Sequence, residues 1–253
     1  FASDGSAAVE QATKIAFQYW QNLGSREKVS FLAISGAYHG DTIGSLSLGS
    51  DEFGSNLFEP LQFEVIRAPG YDHPDWELTA ISLVSKHHEK IAAAVIEPLV
   101  QGASGMHTTD PNAIKAFADA CSKHGVLLIC DEVATGFGRT GTLFASEQCG
   151  IQPDLMCLGK GITGGYLPMS ATVAAGHIHQ AFLGQDLGPE MLYHGHSYGG
   201  NALAAAVALR HLSLITESNV LSNVQKQAVD LSQLLKKRIA CIPGIAQIRC
   251  LGL

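Results

Sequence analysis

Apolar residues along this chain recur in two distinct rhythms, and their alternation predicts the architecture. From Ser6 onward Val9, Ala12, Ile15, Ala16, Phe17, Trp20 and Leu23 return at intervals of three and four, with Gly24 as a stop, which is the spacing of an amphipathic helix. Continuous apolar runs of strand length stand at 29–34 (VSFLAI), Ile91 to Ile96, Val126 to Cys130 and Leu155 to Leu158, with a shorter one from Ser170 to Ala174. Helical spacing returns between Ala113 and His124, where Ile114, Phe117, Ala118 and Cys121 share a face and Gly125 closes the turn. A helix rich in small residues starts at Ala202, and Val220, Leu221, Val224, Ala228, Leu231, Leu234 and Leu235 mark one face of another. Gly244 to Arg249 reads as the start of a strand. Residues 50–90 are less patterned: PGYDHPDW is turn-rich, and the helical stretch to Lys90, with His87 and His88, reads as a solvated face. Buried strands alternating with amphipathic helices predict an α/β fold, a mostly parallel sheet covered on both faces.

Two of the strands run into charge. VLLIC stops at Asp131 and Glu132, so two carboxylates sit where a buried strand emerges, and Leu155 to Leu158 delivers Lys160 between Gly159 and Gly161. Lys14, Lys28, Lys86, Lys90, Lys115, Lys123, Lys226, Lys236 and Lys237 lie in polar or amphipathic surroundings and are read as solvated. A lysine at the end of an apolar strand is partly desolvated, which lowers its pKa and leaves more of the neutral amine that forms imines. Pyridoxal phosphate uses both groups: its aldehyde forms a Schiff base with a lysine, and its pyridinium nitrogen takes an acidic partner. On this pair alone the plain alternative, Asp131 capping a loop and Lys160 an ordinary strand-end lysine, stands level with that reading.

Other segments add candidates. Asp4-Gly5-Ser6 opens the first helix, as a simple cap or as an anion site at its N-terminus. The glycine-rich loop SGAYHGDTIGS after the first strand carries Tyr38, His39 and Asp41, at the kind of strand end where α/β proteins hold their sites; His39 is read as structural. Ile91 to Ile96 ends in Glu97-Pro98, followed by a second glycine-rich crossing, VQGASGM. Gly136 to Gly141 matches GxGxxG, but only a short helix can follow, which argues against a dinucleotide site. Gly195 to Gly199 matches GxSxG, but the last histidine, His211, precedes Asp230, the reverse of the order an α/β-hydrolase needs.

Composition narrows the class. The 253 residues suit one large or two small domains, and 46% hydrophobic with 15% charged residues is a core-forming balance. A formal net charge of −7 without a dense basic run argues against nucleic acid and anionic membranes as partners and for small molecules. Cys121, Cys130, Cys149, Cys157, Cys241 and Cys250 form no CxxC pair and sit mostly in apolar runs, the pattern of buried reduced thiols without disulfides. Neither a membrane-spanning run nor a signal-peptide layout is visible, so a cytoplasmic location is expected, with organellar targeting left open. Phe1 at the start and IRCLGL at the end suggest a fragment truncated at both ends.

VLLICDEVATGFGRTG, followed by LGKGITGGYLPMSAT, closely resembles the class III aminotransferases of pyridoxal phosphate fold type I. SDGSAAVEQATKIA, SGAYHGDTIGSLSL, VIEPLVQGASGM and HGHSYGGNALAAAVAL extend the likeness over nearly the whole chain in one order. The resemblance implies a cofactor-binding large domain over residues 1–218, and a linking helix with the start of a small C-terminal domain over 219–253. It implies pyridoxal 5'-phosphate as cofactor, no metal, an amino donor and a keto acceptor as substrates, and a homodimer with the active site at its interface. By the same likeness Lys160, Asp131 and Tyr38 are catalytic. Gly5, Ser6, Tyr38, Asp131, Val133, Lys160, His196 and Ser197 contact the cofactor, Ser197 and its neighbours coming from the second subunit. YHGDT, DEVATGFGRTG and GKGITGG, with Ala134 where many relatives carry glutamine, are most similar to the biotin-pathway members, although His196-Ser197 departs from the Pro-Thr of some of them. That likeness implies 8-amino-7-oxononanoate against Tyr38, Asp41 and Gly195, S-adenosylmethionine or lysine as donor, and Arg139 orienting its loop rather than gripping a carboxylate. Two rivals stand beside it: another class III ω-aminotransferase, for example for 4-aminobutyrate, and a non-enzymatic binding protein of the same fold.

Overall fold

A computed structural model describes residues 1–49 and 55–253. Its centre is a six-stranded sheet of β1 (Ser30–Ile34), β2 (Val65–Ala68), β3 (Ile91–Ile96), β6 (Leu127–Asp131), β7 (Leu155–Leu158) and β8 (Ala171–Ala174). They lie in the order β2-β1-β3-β6-β7-β8, parallel except for β8, which runs antiparallel to β7. β4 (Val100–Gln101) and β5 (His107–Thr108) make a small antiparallel ladder beside it. The predicted mostly parallel α/β fold is therefore present, and the strands expected at 29–34, 91–96, 126–130, 155–158 and 170–174 are found to within a residue or so at their ends.

Each face of the sheet has its own cover. α1 (Gly5–Asn22) lays Ala8, Val9, Ala12 and Ala16 against Ala93, Val95, Ile129 and Leu155, and its small side chains let helix and sheet approach closely. On the other face α3 (Trp76–His87) and α4 (Pro111–Lys123) bury Trp76, Val84, Ile114 and Phe117 against Ile91, Ile96 and Leu128. β3 is buried at every position because both faces are covered, which is why IAAAVI reads as an unbroken apolar run. A third cluster, in which Leu158, Ile162 and Met169 meet Ala204 and Ala208 of α7 (Ala202–Glu217), supports the turn that follows β7. Short α2 (Ile43–Leu48), α5 (Ala145–Gln148) and α6 (Gly176–Gln180) connect these layers, and α8 (Val220–Arg238) follows α7. Among the described residues no helix is long and apolar enough to cross a membrane.

Several expectations need correction. The weakly patterned stretch from residue 50, partly outside the described residues, contains β2, which the sequence hid because Arg67 interrupts its apolar run. The Arg67 guanidinium donates to Ser47 O at 2.7 Å and Leu48 O at 3.2 Å, which lets an arginine sit in an edge strand. The crossing VQGASGM carries β4 and leads directly into β5. Residues 244–249 form no strand, having no strand neighbour to pair with among the described residues. The α8 face expected to be apolar is only half covered, and no residue of that helix is buried. Lys28 is not solvated: it is buried, its Nζ donates to His88 O (2.7 Å), Gly125 O (2.8 Å) and Ile91 O (3.1 Å), and it lies 4.3 Å from the Trp20 ring centroid. Three converging carbonyls replace its water, an arrangement that leaves no trace in local sequence. Of the six cysteines four are buried, while Cys241 and Cys250 are exposed.

Candidate active site

Strand order assembles the site. β1, β3, β6 and β7 are neighbours, and their carboxyl ends lead to the 35–41 loop, Glu97, Asp131 and Lys160 in that order across the sheet. Strands sit roughly 4.8 Å apart, so these groups fall within reach of one small molecule. Together with the start of α1 they line a cavity of about 450 Å³, whose walls include Gly5, Ser6, Tyr38, Asp131, Val133 and Lys160.

Asp131 is the fixed point of the cavity. It is 5% exposed, its Oδ1 accepts from Val133 N at 3.0 Å, and its Oδ2 lies 2.7 Å from His39 Nδ1. Burial works to lower the pKa of His39, but the hydrogen bond and negative charge of Asp131 outweigh it and hold the imidazole above its ordinary value. His39, read as structural, is therefore the immediate partner of the central carboxylate. Glu97 is the residue that sequence reasoning passed over, although it stands at the end of an apolar strand as Asp131 does. Its Oε1 accepts from Tyr38 N at 2.8 Å and its Oε2 from Gly102 N at 3.1 Å. Burial, with help from the charge of Asp131 and against that of His39, pushes its pKa up to about 7.

The rim of the cavity depends on glycine. Val133 wedges between Gly5 and Gly159: a Cβ on Gly5 would meet Val133 Cγ1 at 2.7 Å, and one on Gly159 would meet it at 3.1 Å. Gly40, at φ +115°, passes so close to Ser6 that a Cβ would stand 1.9 Å from its Oγ, which in turn accepts from Asp41 N at 3.2 Å. Lys160 opens a single 3₁₀ turn, Lys160–Thr163, at φ +39°, a left-handed conformation that costs a non-glycine residue about 1 kcal/mol. The desolvation expected of Lys160 is not found: the residue is exposed, because it lies beyond β7 at the mouth of an open cavity. Tyr38 lines the wall, and burial with a hydrogen bond to Asp41 raises its pKa.

The model of the class-III aminotransferase family matches residues 1–253. The chain belongs to the class III aminotransferases. It is 40% identical over 265 residues to the adenosylmethionine-8-amino-7-oxononanoate aminotransferase of Anoxybacillus flavithermus, covering 100% of this chain and 58% of that protein. The crystal structure of the enzyme of that name from Methanocaldococcus jannaschii superposes with a TM-score of 0.95 at 36% identity, over 99% of this chain and 58% of the other. An amine transaminase from an uncultivated Pseudomonas species, solved in its PLP-bound form, superposes with a TM-score of 0.92 at 32% identity, over 100% of this chain and 60% of that one. The chain thus spans a little under three fifths of the length of the first relative. Pyridoxal phosphate is the cofactor of the family, and the cavity suits it: a held carboxylate on the floor, a helix start whose first N–H groups have no partner within the helix, and a lysine at the mouth.

Not every expected residue is in the cavity. Asp41 is exposed and reaches the site through Tyr38 and Ser6, and Gly195, His196 and Ser197 are exposed on a turn that contributes nothing to the cavity wall. His196 Nδ1 accepts from Tyr198 N at 3.2 Å within that turn. Arg139 lies outside that cavity, and its Nη1 donates to O of Leu253, the last residue of the sequence, at 2.7 Å.

Proposed function

We propose that the whole protein converts 8-amino-7-oxononanoate to 7,8-diaminononanoate, with S-adenosylmethionine or lysine as amino donor, in biotin synthesis. What carries the reading is Asp131, Tyr38 and Lys160 on one cavity in a chain whose matched relatives bear that enzyme's name. When bound, the cofactor supplies an aldehyde that takes up the amino group and a ring that draws electrons from the neighbouring carbon. Lys160 would hold it through Nζ. Asp131, its carboxylate oriented by His39 and Val133, would hold the ring nitrogen protonated, and the α1 start at Gly5 and Ser6 would receive the phosphate. Val133 and Tyr38, which line the same cavity, would flank the ring, and Lys160 would move the proton on and off the amine-bearing carbon of the substrate. Tyr38 and Asp41 face the substrate, and Gly195, which lies outside this chain's own cavity, would reach it only from a second copy.

A homodimer completes the site. His196 and Ser197 lie outside this chain's own cavity, on a stretch that also exposes Tyr193, Tyr198, Leu203 and Leu209, as a surface covered by a second copy would. There Ser197 would meet the cofactor phosphate of the other subunit. Two measurements test the proposal on the full-length protein. Borohydride reduction with peptide mapping should label Lys160, and a label on another lysine overturns its role. Incubation of 8-amino-7-oxononanoate with each donor in turn should yield 7,8-diaminononanoate; no product, beside brisk turnover of 4-aminobutyrate, moves the protein to another branch of the class.

A further inference from the structure

We propose that Glu97 is a positioning residue that clips the Tyr38 loop to the 97–106 crossing and so fixes the wall against which the cofactor ring lies. The idea rests on the function proposed above. Both oxygens of Glu97 are engaged, and their two N–H donors belong to separate walls of the cavity: Tyr38 N at 2.8 Å and Gly102 N at 3.1 Å. Gln101 makes a parallel tie, with Nε2 donating to Ser35 O at 2.8 Å and Oε1 accepting from Tyr71 N at 3.2 Å. Only the Glu97 tie can change its charge. A buried carboxylate with two backbone donors is often just a loop cap, but this one lines the cavity and holds the backbone of Tyr38, which lines it too.

The clip is sensitive to protonation. As a carboxylate Glu97 accepts two charge-assisted hydrogen bonds; once protonated, one oxygen is a hydroxyl and a poor acceptor, and one wall is released. Burial has raised the pKa to about 7, so the change falls in the neutral range. The groups facing it are His39 from the Tyr38 loop, Asp131 from β6 and Lys160 across the cavity, while the Tyr71 hydroxyl donates to the backbone carbonyl of Glu97 at 2.8 Å. The wall is firm above neutrality and loosens below it.

The experiment uses the full-length protein, with and without pyridoxal phosphate. In cofactor-free protein at pH 8, Glu97→Gln should speed hydrogen exchange of the Tyr38 and Gly102 amides about tenfold after correction for intrinsic rates. Loaded wild type should release cofactor faster at pH 6 than at pH 8, whereas Glu97→Gln should release it at the faster rate at both. In a Tyr38→Leu background the effect of Glu97→Gln on release should vanish, because the clip acts through Tyr38. Unchanged exchange, an unaltered pH dependence or an additive double mutant each overturns the proposal. Glu97→Asp, which keeps the charge but withdraws it by one methylene, should match Glu97→Gln in exchange; if neither variant folds, Glu97 is a core residue and the proposal fails. Should the wild type take up no cofactor, the proposed function fails, while exchange in the cofactor-free protein still decides the clip.

Discussion

At the scale of single residues, the chemistry is governed by what each charge has been given in place of water. Asp131 has lost its solvent and gained the Val133 amide and His39, so Asp131→Asn keeps the shape and removes the charge. Single-turnover rates in that variant should fall roughly a hundredfold or more, with substrate binding little changed, since a neutral amide stabilises a pyridinium poorly. Near-normal rates would make Asp131 a structural carboxylate. With the carboxylate gone, burial and the charge of Arg67 are opposed only by the charge of Glu97, and the pKa of His39 should drop, which NMR titration can follow. Glu97 gives a prediction for stability. Its folded pKa is raised from 4.5 to about 7, so the folded state binds more protons than the unfolded state between those values. Stability from this group is therefore full below about pH 4.5, declines as pH rises, and is lost above about pH 7, a change of at most about 3 kcal/mol. Urea unfolding across that window should show the decline in wild type and a flatter profile in Glu97→Gln.

At the scale of elements, the loop after β6 is built around Glu132. This carboxylate is fully buried and accepts from Thr135 Oγ1, from Ala145 N at 3.0 Å and from Ser146 N at 2.8 Å, drawing the start of α5 back beneath the strand end. Asp131 and Glu132 thus divide their work: one side chain faces the cavity and its neighbour folds the loop away from it. Glu132→Ala would leave two buried N–H groups without an acceptor and should cost about 2–4 kcal/mol in chemical denaturation, with loosening centred on residues 132–146. A loss below 1 kcal/mol would mean that water replaces the carboxylate there. The 35–41 loop is set differently, by close approach: the Cβ of Gly40→Ala would collide with Ser6, so the loop must shift away from α1.

At the scale of the whole molecule, the proposed division of the site between two copies makes a sharp test. Lys160→Ala and Ser197→Glu should each be inactive alone, the second because its carboxylate repels the phosphate. Co-expressed, they should regain about a quarter of the wild-type sites, because mixed dimers then carry one intact site each. No recovery over the parents would place Ser197 outside the partner's site. Along this chain, sequence alone determined whatever depends on neighbours within a strand or a turn: the buried runs of β3, β6 and β7, the Val9, Ala12 and Ala16 part of the α1 face, though Phe17 and Leu23 assigned to it are exposed, and the emergence of Asp131 and Lys160 from strand ends. Only the tertiary structure decided which strand ends are adjacent. That adjacency put Glu97 beside the Tyr38 loop and His39 on Asp131, and it turned Lys28 from a solvated lysine into a buried anchor. Hydrophobic period is a local property of the chain, whereas the partner of a buried polar group is chosen by packing between segments far apart in sequence.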